Sequence, residues 1–163
     1  MQKDNTIKKI AEYEDKSLII VDDDNPFRDR LSRAMEKKGF IVTQAEGVKK
    51  GIEKVKSIKP AFAVIDLRLT DGNGLEVVKE IQNSNINSRI IMLTGYGNIS
   101  TAVAAIKQGA IDYLAKPADA DDVEKALLAD PKEKAQPPEN PMSADRVKWE
   151  HIHRVFELCN RNV

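Results

Sequence analysis

Short apolar runs alternate along the chain with segments in which apolar residues recur at steps of three and four. The runs lie at 16–21, 40–43, 61–66, 89–93 and from 111 onward. The helical segments begin near Asn25, Gly47, Leu75, Ile99 and Asp119. A continuous apolar run bounded by turn residues is typical of a strand buried on both faces, and steps of three and four are typical of a helix. The pattern predicts an α/β fold, a fivefold β-α repeat with a parallel sheet and helices on both faces.

Polar side chains follow the predicted ends of four of these strands. Asp22 and Asp23 come after the first, Asp66 ends the third, Thr94 follows the fourth and Lys116 follows the fifth. Since the carboxyl ends of parallel strands form one crevice, we expect these side chains to lie close together. Adjacent carboxylates repel each other, and their oxygens are good ligands for Mg²⁺. The set favours a crevice for Mg²⁺ and a phosphoryl group, although each residue alone also fits an ordinary turn or solvent-exposed role.

Composition narrows the class of protein. The 163 residues carry 26 basic and 26 acidic side chains, so the overall charge gives no argument for nucleic acid or an anionic membrane. No apolar run approaches the roughly 20 residues of a spanning helix, and the polar first residues do not resemble a secretory signal. The single cysteine, Cys159, excludes an internal disulfide. We expect a cytoplasmic protein.

The chain divides by composition into four segments. Residues 1–15 are expected to be a mobile lead-in, 16–129 to be the α/β domain, and 130–142 to be a proline-rich linker. Residues 143–163 are expected to form a helix with one apolar face. That face comprises Trp149, Ile152, Phe156 and Cys159. Because nothing further in the sequence covers it, we interpret the chain as ending inside a second domain; docking on the first domain or self-association is the alternative.

Four motifs in this order resemble the receiver domain of two-component response regulators. They are Val21-Asp-Asp-Asp24, Val64-Ile-Asp66, Met92-Leu-Thr94-Gly95 and Asp112-Tyr113-Leu-Ala-Lys116-Pro117. The resemblance covers about residues 16–129. It implies a flavodoxin-like (βα)5 fold with strand order 2-1-3-4-5.

The resemblance also implies a role for each acidic residue. Asp66 would be the phosphoacceptor, taking a phosphoryl group from a phosphohistidine of a membrane-bound sensor histidine kinase. Asp23 and Asp66 would bind Mg²⁺ directly, Asp22 through water, and the backbone carbonyl of Arg68 would complete the protein's ligands.

Three further residues receive roles in the same way. Lys116 and the Thr94 hydroxyl would contact the phosphoryl oxygens, and the Lys116-Pro117 bond would be cis. Thr94 and Tyr113 would form the switch that transmits phosphorylation to the surface. We therefore expect a signalling phosphoacceptor that catalyses only its own phosphorylation and slow dephosphorylation, not an enzyme.

A finer resemblance is to the RegA/PrrA/ActR type of redox-responsive transcriptional regulators. It rests on five segments: Leu67–Gly74, Leu93–Gly97, Thr101–Ala105, Lys116–Asp119 and Met142–Arg146. It implies that the helix from Trp149 to Cys159 is the first helix of a Fis-like helix-turn-helix. DNA binding would need the complete C-terminal domain and is not expected for this chain, and a homodimer on phosphorylation is possible within this type.

Three other functions are compatible with parts of the pattern. A haloacid-dehalogenase-type phosphatase also uses a strand-end aspartate, but Arg68 stands where its general acid belongs and its motif lies on the first strand. A flavin- or nucleotide-binding module would need glycines in the first β-α turn, which has Asp22-Asp-Asp-Asn-Pro26. A phosphorylation-independent interaction module is the remaining alternative.

Overall fold

A five-stranded parallel sheet forms the centre of the computed structural model, which describes residues 9–95, 99–107, 109–110 and 112–129. Its strands are β1 Ser17–Val21, β2 Ile41–Ala45, β3 Phe62–Asp66, β6 Arg89–Thr94 and β7 Asp112–Ala115. A separate two-stranded hairpin comprises β4 Arg68–Leu69 and β5 Gly72–Asn73. The helices are α1 Asn25–Lys38, α2 Val48–Ile58, α3 Gly74–Ser84, α4 Ile99–Lys107 and α5 Ala120–Leu128.

The main sheet has the order β2-β1-β3-β6-β7, and each neighbouring pair is parallel. In the numbering of the five predicted strands this is 2-1-3-4-5, so the predicted flavodoxin-like fold is confirmed. Every residue of the central strand β3 is buried. The core consists of two apolar clusters, one on each side of the sheet, as expected for strands covered by helices on both faces.

Helix α1 begins and ends where the sequence predicts. The Asp24 side chain accepts a hydrogen bond from the backbone N of Phe27 at 3.1 Å, and Pro26 lies in the first turn. Gly39 ends the helix in a left-handed conformation. The backbone N of Phe40 then bonds back to the carbonyl of Met35, so Phe40 belongs to this helix stop. For that reason β2 begins one residue later than the predicted strand at 40–43, and it continues to Ala45.

The hairpin between β3 and α3 is a feature that the sequence pattern does not predict. Arg68 pairs with Asn73 and Leu69 with Gly72, which leaves Thr70 and Asp71 at the tip. The Asn73 side chain then caps α3. Two-residue strands are too short to show alternation, so periodicity carries no signal for them.

Residues that precede the predicted domain start at residue 16 also pack against the sheet. Residues Ile10–Glu12 form a short 3-10 turn. Ile10 is buried, and the Tyr13 ring meets the Phe62 ring edge-on with 5.2 Å between centroids. Apolar packing therefore holds residues 9–15 against the domain. The predictions for 1–8, for the linker 130–142 and for the helix 143–163 lie outside the described residues.

The last helix is held at its carboxyl end by an arginine from β6. Arg89 Nε donates to the carbonyl of Leu127 at 2.6 Å, and its guanidinium also donates to the carbonyl of Ala129. These bonds satisfy carbonyls that lack a partner within the helix. Across the part of the chain described, no helix combines the length and apolar character needed to cross a membrane.

Candidate functional site

Three aspartates meet at the carboxyl end of the main sheet. One carboxylate oxygen from each of Asp22, Asp23 and Asp66 lies within 4.8 Å of the others. They meet because β1 and β3 are parallel neighbours, with Val21 opposite Ile65. Asp22 is fully buried and Asp66 is 6% exposed, whereas Asp23 is exposed. Parallel pairing thus produces the predicted acidic cluster.

Lys116 extends from the end of β7 into this cluster. Its Nζ lies 2.9 Å from Asp22 Oδ2 and 3.2 Å from Asp66 Oδ2. The Lys116-Pro117 peptide bond is cis, as the resemblance implied. The ammonium group also lies 5.0 Å from the centroid of the Phe27 ring. Three carboxylates beside one ammonium leave an excess of negative charge in the crevice.

Burial and neighbouring charge change the acidity of the central groups. Burial raises the pKa of Asp66 from 3.8 to about 6; the charge of Asp22 adds to the rise and Lys116 opposes it. Burial alone would lower the pKa of Lys116, but its bonds and charge interactions with Asp22 and Asp66 outweigh this and raise the pKa above 10.5. The lysine therefore stays protonated, and Asp66 is mostly ionised at neutral pH.

Thr94 ends β6 and Tyr113 lies on β7, the two strands that follow β3 in the sheet. Thr94 is 2% exposed, and its carbonyl accepts a hydrogen bond of 2.8 Å from the backbone N of Lys116. Tyr113 pairs with Met92 in the sheet and is buried, which raises the pKa of its phenol, with Asp112 adding to the rise. The backbone thus places Thr94 next to Lys116, while the switching role of Thr94 and Tyr113 stays a prediction.

The backbone of Arg68 supports the acidic cluster from the β3-β4 junction. Its N–H lies 3.3 Å from Asp66 Oδ1, and the Arg68 side chain is exposed. The predicted use of its carbonyl as a metal ligand stays a prediction.

Four residues that the sequence did not assign to the site contact its residues or hold those that do: Arg28, Gln44, Thr70 and Phe27. Arg28 Nη1 donates to the carbonyl of Asp22 at 2.6 Å, and Arg28 Nε donates to Gln44 Oε1 at 2.8 Å. Thr70 Oγ1 donates to Asp23 Oδ2 at 2.7 Å. The position of Phe27 in the helical spacing of α1 is that of an ordinary core residue. The periodicity therefore gives no sign that its ring contacts Lys116. These contacts join different elements of the fold, so no local pattern could have identified them.

The residues present fit a hard divalent cation. Asp22 Oδ2 is buried, and its polar partner among the described residues is the Lys116 ammonium group, 2.9 Å away. Asp22 Oδ1 is already bonded to the backbone N of Asp24 at 2.8 Å. Three carboxylates whose oxygens lie within 4.8 Å of one another, with one ammonium group to balance them, are a suitable donor set for Mg²⁺.

The fold and the acidic crevice define a phosphoacceptor domain, and comparison with known proteins identifies its family. Residues 18–128 match the response regulator receiver domain, so the chain belongs to the response regulator receiver family. Response regulators receive phosphoryl groups from sensor histidine kinases, and receiver domains bind Mg²⁺ at an acidic pocket. Membership in this family indicates signalling and the regulation of transcription.

Two curated relatives are regulators. The chain is 62% identical to the acid tolerance regulatory protein ActR of Rhizobium meliloti (strain 1021) over 149 residues, 91% of this chain and 77% of that protein. It is also 62% identical to the photosynthetic apparatus regulatory protein RegA of Rhodobacter capsulatus, covering 91% of this chain and 81% of that protein. The predicted resemblance to the RegA and ActR type is confirmed.

Solved structures agree on the fold. A response regulator protein from Burkholderia pseudomallei, with a phosphorylated aspartic acid, a calcium ion and citrate, has a TM-score of 0.71 and 35% identity over 90% of this chain and 86% of that one. The receiver domain of NtrX from Brucella abortus has a TM-score of 0.61 and 29% identity, covering 68% and 97% of the two chains. Both describe the same receiver architecture.

Proposed function

We propose that Asp66 is the phosphoacceptor of this response regulator. The observation that carries the proposal is the convergence of three carboxylates and one lysine at the carboxyl end of β1, β3 and β7. A carboxylate oxygen of Asp66 attacks the phosphorus of a phosphohistidine. The new O–P bond forms as the P–N bond breaks, and the bonding electrons leave with the imidazole.

The side chains around Asp66 supply positioning and charge. Lys116, protonated and already 3.2 Å from Asp66 Oδ2, pairs with a phosphoryl oxygen after transfer. The hydroxyl of Thr94 donates to a second phosphoryl oxygen, and Tyr113 changes rotamer in response. Asp22, Asp23 and Asp66, with the backbone carbonyl of Arg68, would hold Mg²⁺. When bound, that ion would neutralise negative charge on the phosphoryl group.

The proposal extends to partners and setting. The phosphoryl donor is a membrane-bound sensor histidine kinase, and the protein acts in the cytoplasm. Phosphorylation promotes a homodimer and alters transcription through a complete C-terminal helix-turn-helix domain. The names of the relatives ActR and RegA, which are regulatory proteins, support a transcriptional output.

Intact-mass measurement after incubation with acetyl phosphate and Mg²⁺ tests the phosphoacceptor. The wild-type chain should gain one phosphoryl group of about 80 Da. Asp66→Asn should gain none, and excess EDTA should prevent the gain in wild type. Asp29→Asn, which changes an exposed aspartate of α1 outside the cluster, is the matched control and should be phosphorylated like wild type. Absence of an adduct in wild type, or its persistence in Asp66→Asn, would contradict the proposal.

A further inference from the structure

The exposed member of the acidic cluster is restrained by the hairpin tip. Asp22 is enclosed by the core, and Asp66 is held by Lys116 and the Arg68 N–H. Asp23 is exposed, and among the described residues its hydrogen-bond donor is the Thr70 hydroxyl, 2.7 Å from Oδ2. Without that bond the Asp23 carboxylate would be free to rotate in water.

The hairpin itself is anchored on its other side. Asp71 accepts hydrogen bonds from the backbone N of Val48 at 2.7 Å and of Lys49 at 3.1 Å, and so caps helix α2. The cap lowers the pKa of Asp71 because it favours the ionised form. Gly47 makes this approach possible, since a Cβ there would lie 2.6 Å from Asp71 Oδ1.

Pairing and burial fix the hairpin between these two contacts. Arg68 pairs with Asn73 in the β4-β5 ladder, and Leu69 is 8% exposed and belongs to the core. The hydroxyl of Thr70 is therefore carried by a hairpin that is fixed on both sides. Its two neighbours in the turn, Leu69 and Asp71, face the core and α2 respectively.

We propose that Thr70 is a positioning residue for metal binding: the anchored hairpin uses its hydroxyl to hold the Asp23 carboxylate in the orientation that binds a divalent cation. This inference rests on the proposed function, because it takes Asp23 as a metal ligand. Hydrogen-bonded partners of ligating carboxylates fix their orientation, and their loss commonly lowers metal affinity about 10- to 100-fold. The Thr70 bond to Oδ2 fixes the orientation of the Asp23 carboxylate, and lone pairs remain on its oxygens for the ion.

Calorimetric titration of the full chain with Mg²⁺ tests the inference. Thr70→Val keeps the shape of the side chain but removes the donor, and it should weaken Mg²⁺ binding about tenfold or more. Thr70→Ser keeps the hydroxyl and should bind like wild type. In an Asp23→Asn background, Thr70→Val should cause no further loss. The free energy of unfolding in EDTA should be nearly the same for all Thr70 variants, because the bond to Asp23 is exposed.

The outcomes separate this inference from the proposed function. If wild type binds Mg²⁺ and Thr70→Val binds it equally or more tightly, the positioning role is wrong while the phosphoacceptor proposal stands. A Thr70→Ser variant as weak as Thr70→Val also overturns it, since the hydroxyl would not be the cause. If wild type itself neither binds Mg²⁺ nor gains a phosphoryl group, both proposals fail.

Discussion

Asp66 lies where burial and the charge of Asp22 both disfavour its ionised form. Its pKa is about 6 in the folded protein against an ordinary value of 3.8. Because the folded pKa is the higher one, the folded state binds more protons between these values than the unfolded state does. The contribution of Asp66 to the stability of the metal-free protein is therefore most favourable below about pH 4 and falls as the pH rises from about 4 to about 6. Above pH 6 Asp66 is ionised in both the folded and the unfolded state, and the full cost of burying its charge is subtracted from the free energy of unfolding.

Asp66→Asn should consequently stabilise the metal-free protein at pH 7.5, by about 1–3 kcal/mol. The gain should disappear near pH 4, where the wild-type carboxyl is already neutral in both states. Urea unfolding in EDTA at several pH values between 4 and 8 measures this. Parallel stability curves for wild type and variant over that range would contradict the prediction, and Asp29→Asn serves as the charge-matched control.

Gly74 lies against the backbone of Asp66, the proposed phosphoacceptor. A Cβ at this position would be 2.2 Å from the carbonyl oxygen of Asp66. Gly74→Ala should therefore displace that backbone, destabilise the protein by about 1–3 kcal/mol, and slow phosphorylation although every acidic side chain is retained. At Gly95 an added Cβ would have no atom of the described residues within 4 Å, its chain neighbours aside. Gly95→Ala is the control for stability, and equal unfolding midpoints for the two variants would show the prediction to be wrong.

At the scale of elements, α2 depends on a residue from another loop for its cap. The N-cap position Gly47 offers no side chain, and Asp71 takes over its role. Gly47→Ala should push the Asp71 carboxylate away from the helix and lower stability. In an Asp71→Ala background Gly47→Ala should change the free energy of unfolding little, because the cap is already absent. A double-mutant cycle by urea unfolding measures the coupling, and strictly additive effects would argue against this account.

The elements also show how far the sequence determines the fold. The buried strand β3 and the ends of α1 were predicted because their signals are local: an apolar run, a proline in the first turn and a glycine stop. The acidic cluster followed from parallel order alone. The contacts of Thr70 with Asp23 and of Asp71 with α2 were not predictable, since each spans more than 20 residues through a hairpin too short to have a period.

On the scale of the whole molecule, the folded unit begins before the first strand. Ile10 is 5% exposed and packs with Tyr13 on the side of the sheet that includes Phe62. A fragment of residues 9–129 should therefore unfold at a higher temperature than one of residues 16–129, since burying one such isoleucine stabilises by about 1.5–3 kcal/mol. Thermal unfolding of both fragments measures the difference, and Ile10→Ala in the longer one should reproduce part of the loss. Identical unfolding midpoints for the two fragments would show that residues 9–15 do not stabilise the domain.

The arginine that begins β6 has a consequence for experiments on signalling. Thr94, which we propose contacts the phosphoryl group, ends the same six-residue strand, so about 17 Å of backbone separates it from Arg89. Arg89 thus lies at the opposite end of β6 from the acidic crevice, where it bonds to the carboxyl end of α5. A substitution of Arg89 should leave phosphorylation of the domain unchanged, because it is remote from the acidic side chains. It should loosen the carboxyl end of α5, through which the domain is linked to the residues after Ala129.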